Sequence, residues 1–494
     1  MTSRRDLLKF IGSAAVTGAV LGTPRLTRAA QTAKPMNDSP NAPKGGDPTA
    51  SGHRPPPSQR KFTSPAVEAE IHRVKADITD PKLARLFENC YPNTLDTTVE
   101  IGTLGGKADT FVITGDIDAM WLRDSSAQVN PYLPLAKRDA KLRRLFHGLI
   151  NRQARCIHID AYANAFMPDP HARPLTWARH DDTDMKPGVG ERKWEIDSLC
   201  YPVRLAYGYW KATGDTTPFD ADWRAAMHTL LDTFRTQQRL HDRSPYHFQR
   251  SSPNPTDTQF LSGYGNPTRP NGMIHSMFRP SDDACVYPLF VPANLFAASI
   301  LDKLAEMSQA IHHDGAFADD CRQLAHEVRQ AVHKHARLRD EHGREYWAYE
   351  IDGYGNTLFM DDANAPGLSS LAYLGACKLD DPLYQASRSR AWSEANPYFF
   401  KGSAAEGIGG PHEGLRMIWP MSIMMRALTS TNAQEIGQCL TWLKSTDAGT
   451  GFMHEAFDQD NPAKFTRSWF AWANTLFGEL ILRVHAEHPA LLRS

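Results

Sequence analysis

Between residues 142 and 150 the apolar side chains fall at Leu142, Leu145, Phe146, Leu149 and Ile150, with Lys141, Arg143, Arg144 and Asn151 between and beside them. Steps of three and four place one apolar stripe on one face, which predicts an amphipathic helix. The same period recurs around 197–213, 221–238, 292–311, 318–338, 432–444 and 468–485. In the last stretch Trp469, Phe470, Trp472, Ala473, Leu476, Phe477, Leu480 and Ile481 run almost all round the helix, which predicts a core helix. Period-two signals are few. Thr98–Ile101 and Phe111–Thr114 flank Gly105-Gly106, and Tyr346–Ile351 and Thr357–Met360 flank a second glycine-rich turn; each pair reads as a hairpin. No succession of βαβ units and no short fixed repeat is present. Roughly a dozen helices joined by long, polar, Gly-rich connections predict an all-α dominated fold, a toroid of helix hairpins with a few short β-hairpins in the loops, because a simple bundle would have short loops.

The ends of the pattern divide the chain. Residues 1–30 carry Ser3-Arg4-Arg5-Asp6-Leu7-Leu8-Lys9, then an apolar small-residue stretch to Gly22 and a small-residue exit at Ala29-Ala30. That is the order of a twin-arginine signal peptide, with Arg4 and Arg5 addressed to the twin-arginine export machinery. It predicts a bacterial protein delivered folded to the periplasm or secreted. Residues 31–60 are rich in Pro, Gly, Ser and Asn and predict a disordered linker. Residues 61–494 would then be the catalytic domain.

Composition narrows the chemistry. Of 494 residues 41% are hydrophobic, and 55 Lys plus Arg face 56 Asp plus Glu, a net charge of −1. Without a basic stripe, nucleic-acid binding is disfavoured, and no apolar run in the body of the chain is long enough to cross a bilayer. The seven cysteines (90, 156, 200, 285, 321, 377 and 439) include no C-x-x-C. This disfavours iron–sulfur, c-haem and zinc-ribbon cofactors and predicts buried apolar thiols. There is no G-x-S-x-G elbow, Walker A or G-x-G-x-x-G.

What remains is a set of loop segments dense in carboxylates, Trp and Arg. Asp116, Asp118, Trp121, Arg123 and Asp124 lie within nine residues. Such a mixture suits a sugar, with carboxylates for hydroxyls and an indole for the ring face, but equally suits an Asp-rich helix start. Trp194 and Asp197 lie in an alternating-charge run leading into a helix, where Asp197 or Ser198 could serve as cap. His180–Asp184 fits no metal-ligand spacing and reads as a solvated acidic loop. Arg279 precedes the adjacent pair Asp282 and Asp283, His412 and Glu413 sit in a Gly/Pro loop, and His454 and Glu455 are flanked by aromatic segments. Separated carboxylates among Trp and Arg on a helical toroid point to glycoside hydrolysis, which needs one protonated and one ionised carboxyl.

T-G-D-I-D-A-M-W-L-R-D-S (114–125), E-R-K-W-E-I-D-S-L-C-Y-P (191–202), F-R-P-S-D-D-A-C (278–285), G-P-H-E-G (410–414) with I-W-P (418–420), and G-F-M-H-E (451–455) occur in this order. From about residue 65 to 485 the chain resembles glycoside hydrolase family 125, the exo-acting α-1,6-mannosidases. The resemblance implies an (α/α)6 barrel that removes terminal non-reducing α-1,6-linked mannose from mannan or N-glycan-type oligosaccharides, with inversion and without metal or other cofactor. It implies a general acid at Asp282 or Asp283 and a general base at Glu455. Asp116, Asp118, Trp121, Arg123, Asp124, Trp194, Asp197, Arg279, His412, Glu413 and His454 are the substrate-binding candidates. Glu413 stands where the resemblance leads one to expect a small residue or threonine, and Gly190 where an aromatic is common. The acid is expected to have a raised pKa and the base to stay ionised. An exported glycan-binding protein, or an (α/α)6 exo-glycosidase of different linkage, is the alternative.

Overall fold

The computed structural model of the chain describes residue 43 and residues 45–241 and 243–493. The arginine pair, the rest of the export signal and the first part of the proposed linker lie outside the described residues. Thirteen α-helices occur among the described residues. They are α1 (Pro65–Lys75), α2 (Pro81–Cys90), α3 (Asn93–Thr97), α4 (Leu122–Val129), α5 (Ala140–Ile159), α6 (Ile196–Thr213), α7 (Ala221–Gln237), α8 (Val291–Met307), α9 (Gly315–His335), α10 (Pro382–Ala391), α11 (Pro420–Leu428), α12 (Ala433–Ser445) and α13 (Ala471–Glu487).

Successive helices alternate between an inner and an outer ring. Inward, α4 packs on α6, α6 on α8, α11 on α13, and α13 returns to α4 and closes the circle. The gap between α8 and α11 is filled by a 3-10 turn, Leu368–Ser370, and the chain after it; Ser299 of α8 donates to Gly375 O at 2.8 Å. Outside stand α2, α5, α7, α9, α10 and α12. This is an (α/α)6 barrel. As its sequence predicts, α13 is buried nearly all round, and so is α8. The ring has no hole: Tyr201 packs edge-on against Phe296 and Trp472 at its centre. None of the described helices is long and apolar enough to cross a membrane.

The two rings begin their helices differently. Each outer helix opens on a side-chain cap: Asp80, Asp139, Asp220, Asp314, Asp381 and Asn432 all accept from backbone N–H groups of the first turn. The inner helices open on Trp121, Glu195, Phe290, Trp419 and Phe470, without a side-chain cap. Three of these residues lie on or directly after the short strands Met120–Trp121, Leu289–Phe290 and Met417–Ile418, and Phe470 bridges to Gly115, so strand pairing, rather than caps, steers the chain into the ring there.

Three local expectations change. The first hairpin forms as Val99–Leu104 with Lys107–Val112. In the second, only Glu350–Ile351 pairs with Thr357–Leu358; Glu345–Trp347 pairs instead with Arg337–Arg339, because Asp340 Oδ1 accepts from His342 and Arg344 N and makes a turn there. Residues 45–60 do not all behave as a linker. Arg54 binds Asp96 and Glu68, each at 2.8 Å, and Ser468 Oγ donates to Asp47 at 2.7 Å. Proline and glycine there shape an irregular strap with partners on the barrel, so the packed chain begins before Phe62. The cysteines are free thiols, six buried and Cys377 half-buried.

Candidate active site

The N-terminal ends of the inner helices converge on one cavity of about 330 Å3. Arg123, in the first turn of α4, is its electrostatic pivot. Its Nη1 donates to Glu195 Oε2 at 2.6 Å and Asp197 Oδ2 at 3.1 Å, and its Nη2 lies 3.5 Å from Asp282 Oδ1. Asp124 is 3.5 Å away on the other side. Four carboxyls thus crowd one guanidinium that is itself 3% exposed. Burial pushes the Asp124 and Asp197 carboxyls up to about 6, with Arg123 opposing, and pushes Glu195 well above the usual range.

Asp282 and Asp283 separate sharply. The loop is tied by Arg279 N to Asp283 O at 2.8 Å and Asp282 N to Arg279 O at 2.9 Å, which leaves Asp282 at φ +64°. This turn sends successive side chains in opposite directions. Asp282 lines the cavity and accepts from Asn164 Nδ2 at 3.0 Å. Asp283 is turned away, held by Thr256 Oγ1 at 2.6 Å and Ser281 Oγ at 2.9 Å. Burial opposes ionisation of Asp282, but Arg123, Lys193 and a hydrogen bond from Glu195 outweigh it and hold the carboxyl far below its ordinary range. The expectation of a raised pKa at the acid candidate therefore fails for the free site; the raised group is its neighbour Glu195.

Across the cavity Glu455 accepts from Arg467 Nη1 at 3.0 Å, and the same guanidinium grips Asp116 through Nε at 2.8 Å. Burial pushes Glu455 up, yet Arg467, a hydrogen bond from Glu413 and His412 together leave it below its usual value. Glu413 moves the other way, up to about 8, through burial and the charge of Glu455. His412 resists burial and rises to about 9 under Asp283, Glu455 and Glu413. At neutral pH this corner thus holds an ionised Glu455 between a protonated Glu413 and an imidazolium.

Of the substrate-binding candidates, Trp121, Arg123, Asp124, His412 and Glu413 line the cavity. Asp116 stands behind Arg467, and Asp118 is exposed and outside the lining. Asp197 is fully buried in the first turn of α6 beneath Arg123 and caps nothing; the cap position is Glu195. Trp194 is a core residue, its Nε1 donating to His275 O at 2.7 Å, and it anchors the segment that carries Lys193 and Glu195. Arg279 faces Glu350 at 2.6 Å and braces the Asp282 loop from behind. His454 is buried against Phe465, ring centroids 3.8 Å apart, and burial holds it down to about 4, so it is a neutral prop for Glu455. Nor is His180–Asp184 wholly solvated, since Asp181 pairs with Arg250 at 2.7 Å. Arg250, Lys193, Trp177, Asn364 and Arg467 line the cavity and escaped sequence reasoning. Trp177 is 39% exposed at the rim, with Nε1 on Glu191 at 3.1 Å.

The sequence pattern described as "Metal-independent alpha-mannosidase (GH125)" matches residues 80–482. The chain belongs to this family. It is a glycoside hydrolase, an α-mannosidase of GH125. It is 43% identical over 457 residues to the "Meiotically up-regulated gene 157 protein" of Schizosaccharomyces pombe, with 89% of each chain covered. It is 40% identical to a solved metal-independent α-mannosidase of Streptococcus pneumoniae in a non-productive complex with α-1,6-mannobiose, with a TM-score of 0.82 over 86% of this chain and 99% of that one.

One cluster in this GH125 site has the composition of a metal centre. Ligand atoms of His412, Glu413 and Glu455 all lie within 4.8 Å of one another. A divalent ion needs free lone pairs on each. Here burial and the neighbouring carboxylates hold protons on His412 to about 9 and on Glu413 to about 8, so an ion would have to displace both. The family is described as metal-independent.

Proposed function

We propose that this GH125 protein is an exo-acting, inverting α-1,6-mannosidase, with Asp282 as general acid and Glu455 as general base. The observation that carries the reading is one blind cavity in which two of the lining carboxyls, Asp282 and Glu455, have different surroundings. Asp282 is backed by the protonated Glu195, and Glu455 is held ionised by Arg467. Because the ring centre is filled by Tyr201, Phe296 and Trp472, a glycan enters only from the loop end, and its terminal sugar reaches the bottom first. The α-1,6 linkage is supported by the mannobiose bound in the pneumococcal relative.

In this reading Asp282 gives its proton to the glycosidic oxygen as the C1–O bond breaks. Glu455 takes a proton from a water that attacks C1 from the opposite face, and β-mannose leaves. Arg123 and Asp124 hold hydroxyls of the terminal sugar, and Trp177 covers the next unit at the rim. Export by the twin-arginine route, with a periplasmic or secreted destination, is part of the proposal and rests on Ser3 to Lys9. Replacing Arg4 and Arg5 by lysine and following the protein by cell fractionation tests it; unchanged delivery would remove it.

Proton NMR of the purified protein with α-1,6-mannobiose, with and without EDTA, tests the activity. Early β-mannose, indifferent to chelation, is expected. Early α-mannose would replace inversion by retention, and release from α-1,2 or α-1,3 mannobiose alone would replace the linkage.

A further inference from the structure

Asp282 meets a difficulty as an acid. Arg123 Nη2 stands 3.5 Å from its carboxyl, and Lys193 Nζ donates to its backbone O at 2.7 Å. Both cations favour the ionised form, which has no proton to give. The environment of the adjacent Glu195 supplies the missing piece. Glu195 is fully buried, and its Oε2 accepts from Arg123 at 2.6 Å and from Ser198 Oγ at 2.9 Å. Its Oε1 is buried with no hydrogen-bond partner of its own, while Arg123 holds both carboxyls on one guanidinium and the two side chains are hydrogen-bonding neighbours. Two carboxyls can share a hydrogen bond only if one of them holds a proton, and the fully buried Glu195, with an oxygen that receives no donor, is the member on which that proton belongs.

We propose that Glu195 stores the proton that Asp282 delivers, so that the working acid is a Glu195–Asp282 pair sharing one proton. This rests on Asp282 being the general acid. Glu195 does not line the cavity; it is a positioning residue that acts through Asp282. The proton on Glu195 moves to the Asp282 carboxylate, and Asp282 passes it to the glycosidic oxygen as the C1–O bond breaks, which leaves both carboxyls ionised. The pair ends one proton poorer and regains it from water after the product leaves; no redox step occurs. The charged and titratable groups facing the pair are Arg123, Asp124, Lys193, Asp197 and His412, with the buried Tyr246 and Cys285 beside Glu195.

Glu195→Gln keeps the shape, the acceptor for Arg123 and a donor toward Asp282, but has no acidic proton. Its activity is measured against pH with two substrates. One is α-1,6-mannobiose; the other is 2,4-dinitrophenyl α-mannoside, whose leaving group departs without protonation. Asp282→Asn is run beside it. On mannobiose, Glu195→Gln is expected to lose on the order of 10²-fold in kcat/KM. Its alkaline limb moves to lower pH, because Asp282 alone with Arg123 and Lys193 gives up its proton earlier. On the dinitrophenyl substrate it stays within about threefold, which also reports that the variant is folded. Equal losses on both substrates, or an unmoved alkaline limb, would overturn the proposal and leave Glu195 a structural partner of Arg123. If Asp282→Asn itself loses both substrates equally, the assignment of the acid falls, and this proposal with it.

Discussion

Replacing Arg467 by Met tests the electrostatics of the base. Arg467 reaches Glu455 at 3.0 Å and is 20% exposed, while Glu455 is 4% exposed. At 3.0 Å and an effective dielectric of about 20, a charge pair is worth about 5 kcal/mol. Arg467 divides itself between Glu455 and Asp116, and solvent reaches part of it, so the share felt by Glu455 is about 1–3 pH units, or ~1.4–4 kcal/mol. Glu455 works only when ionised, and Arg467 holds its pKa down. Without the guanidinium the carboxylate keeps its proton to higher pH. The acid limb of kcat/KM on α-1,6-mannobiose should therefore rise by about 1–3 units, and the loss at a pH one unit below the new midpoint should be about tenfold. The assay is a pH series from about 4 to 9 with Arg467→Lys, which keeps a charge, as the control. A thermal melt confirms folding. An acid limb that stays in place in a folded Arg467→Met protein would refute the argument that Arg467 sets the base.

Asp283→Asn should lose about 1–3 kcal/mol of stability through the weakened Thr256 and Ser281 bonds, read as a lower denaturation midpoint, while keeping far more activity than Asp282→Asn. Trp177→Ala removes an exposed indole from the rim and should raise KM for mannobiose roughly fivefold, about 1 kcal/mol, with kcat little changed in steady-state assays. Arg54→Met leaves Asp96, whose side chain is 2% exposed, with only the longer ion pair to Arg60 at 3.8 Å, and should cost about 2–4 kcal/mol in chemical denaturation. A neutral effect would show the strap to be idle.

The helices were legible because long amphipathic repeats have one physical solution, and α5, α7, α9 and α12 lie where the period puts them. The fourth inner element was not, because Leu368–Ser370 is one turn and carries no period. The site was legible as a set of loops but not residue by residue. Motif composition cannot separate a side chain that faces the cavity from one that braces it, and Trp194, Arg279 and His454 turned out to brace. Lys193 lay inside a quoted segment yet looked like one charge in an alternating run. Arg250 sits in a stretch without any motif, and only folding brings it to Glu191 at 2.8 Å. The choice between Asp282 and Asp283 depended on a backbone angle that adjacency cannot encode.

That angle has a consequence for how such proteins are selected. A residue other than glycine at φ +64° carries strain on the order of 1–2 kcal/mol. Glycine would sit at position 282 without it and would also remove a carboxyl from beside Glu195. The sequence that makes the most comfortable turn and the sequence that makes the acid are therefore different sequences. A library of this protein screened only for solubility or heat resistance should drift toward glycine at this position and fill with well-folded, silent barrels. Screening for turnover holds aspartate there against that drift.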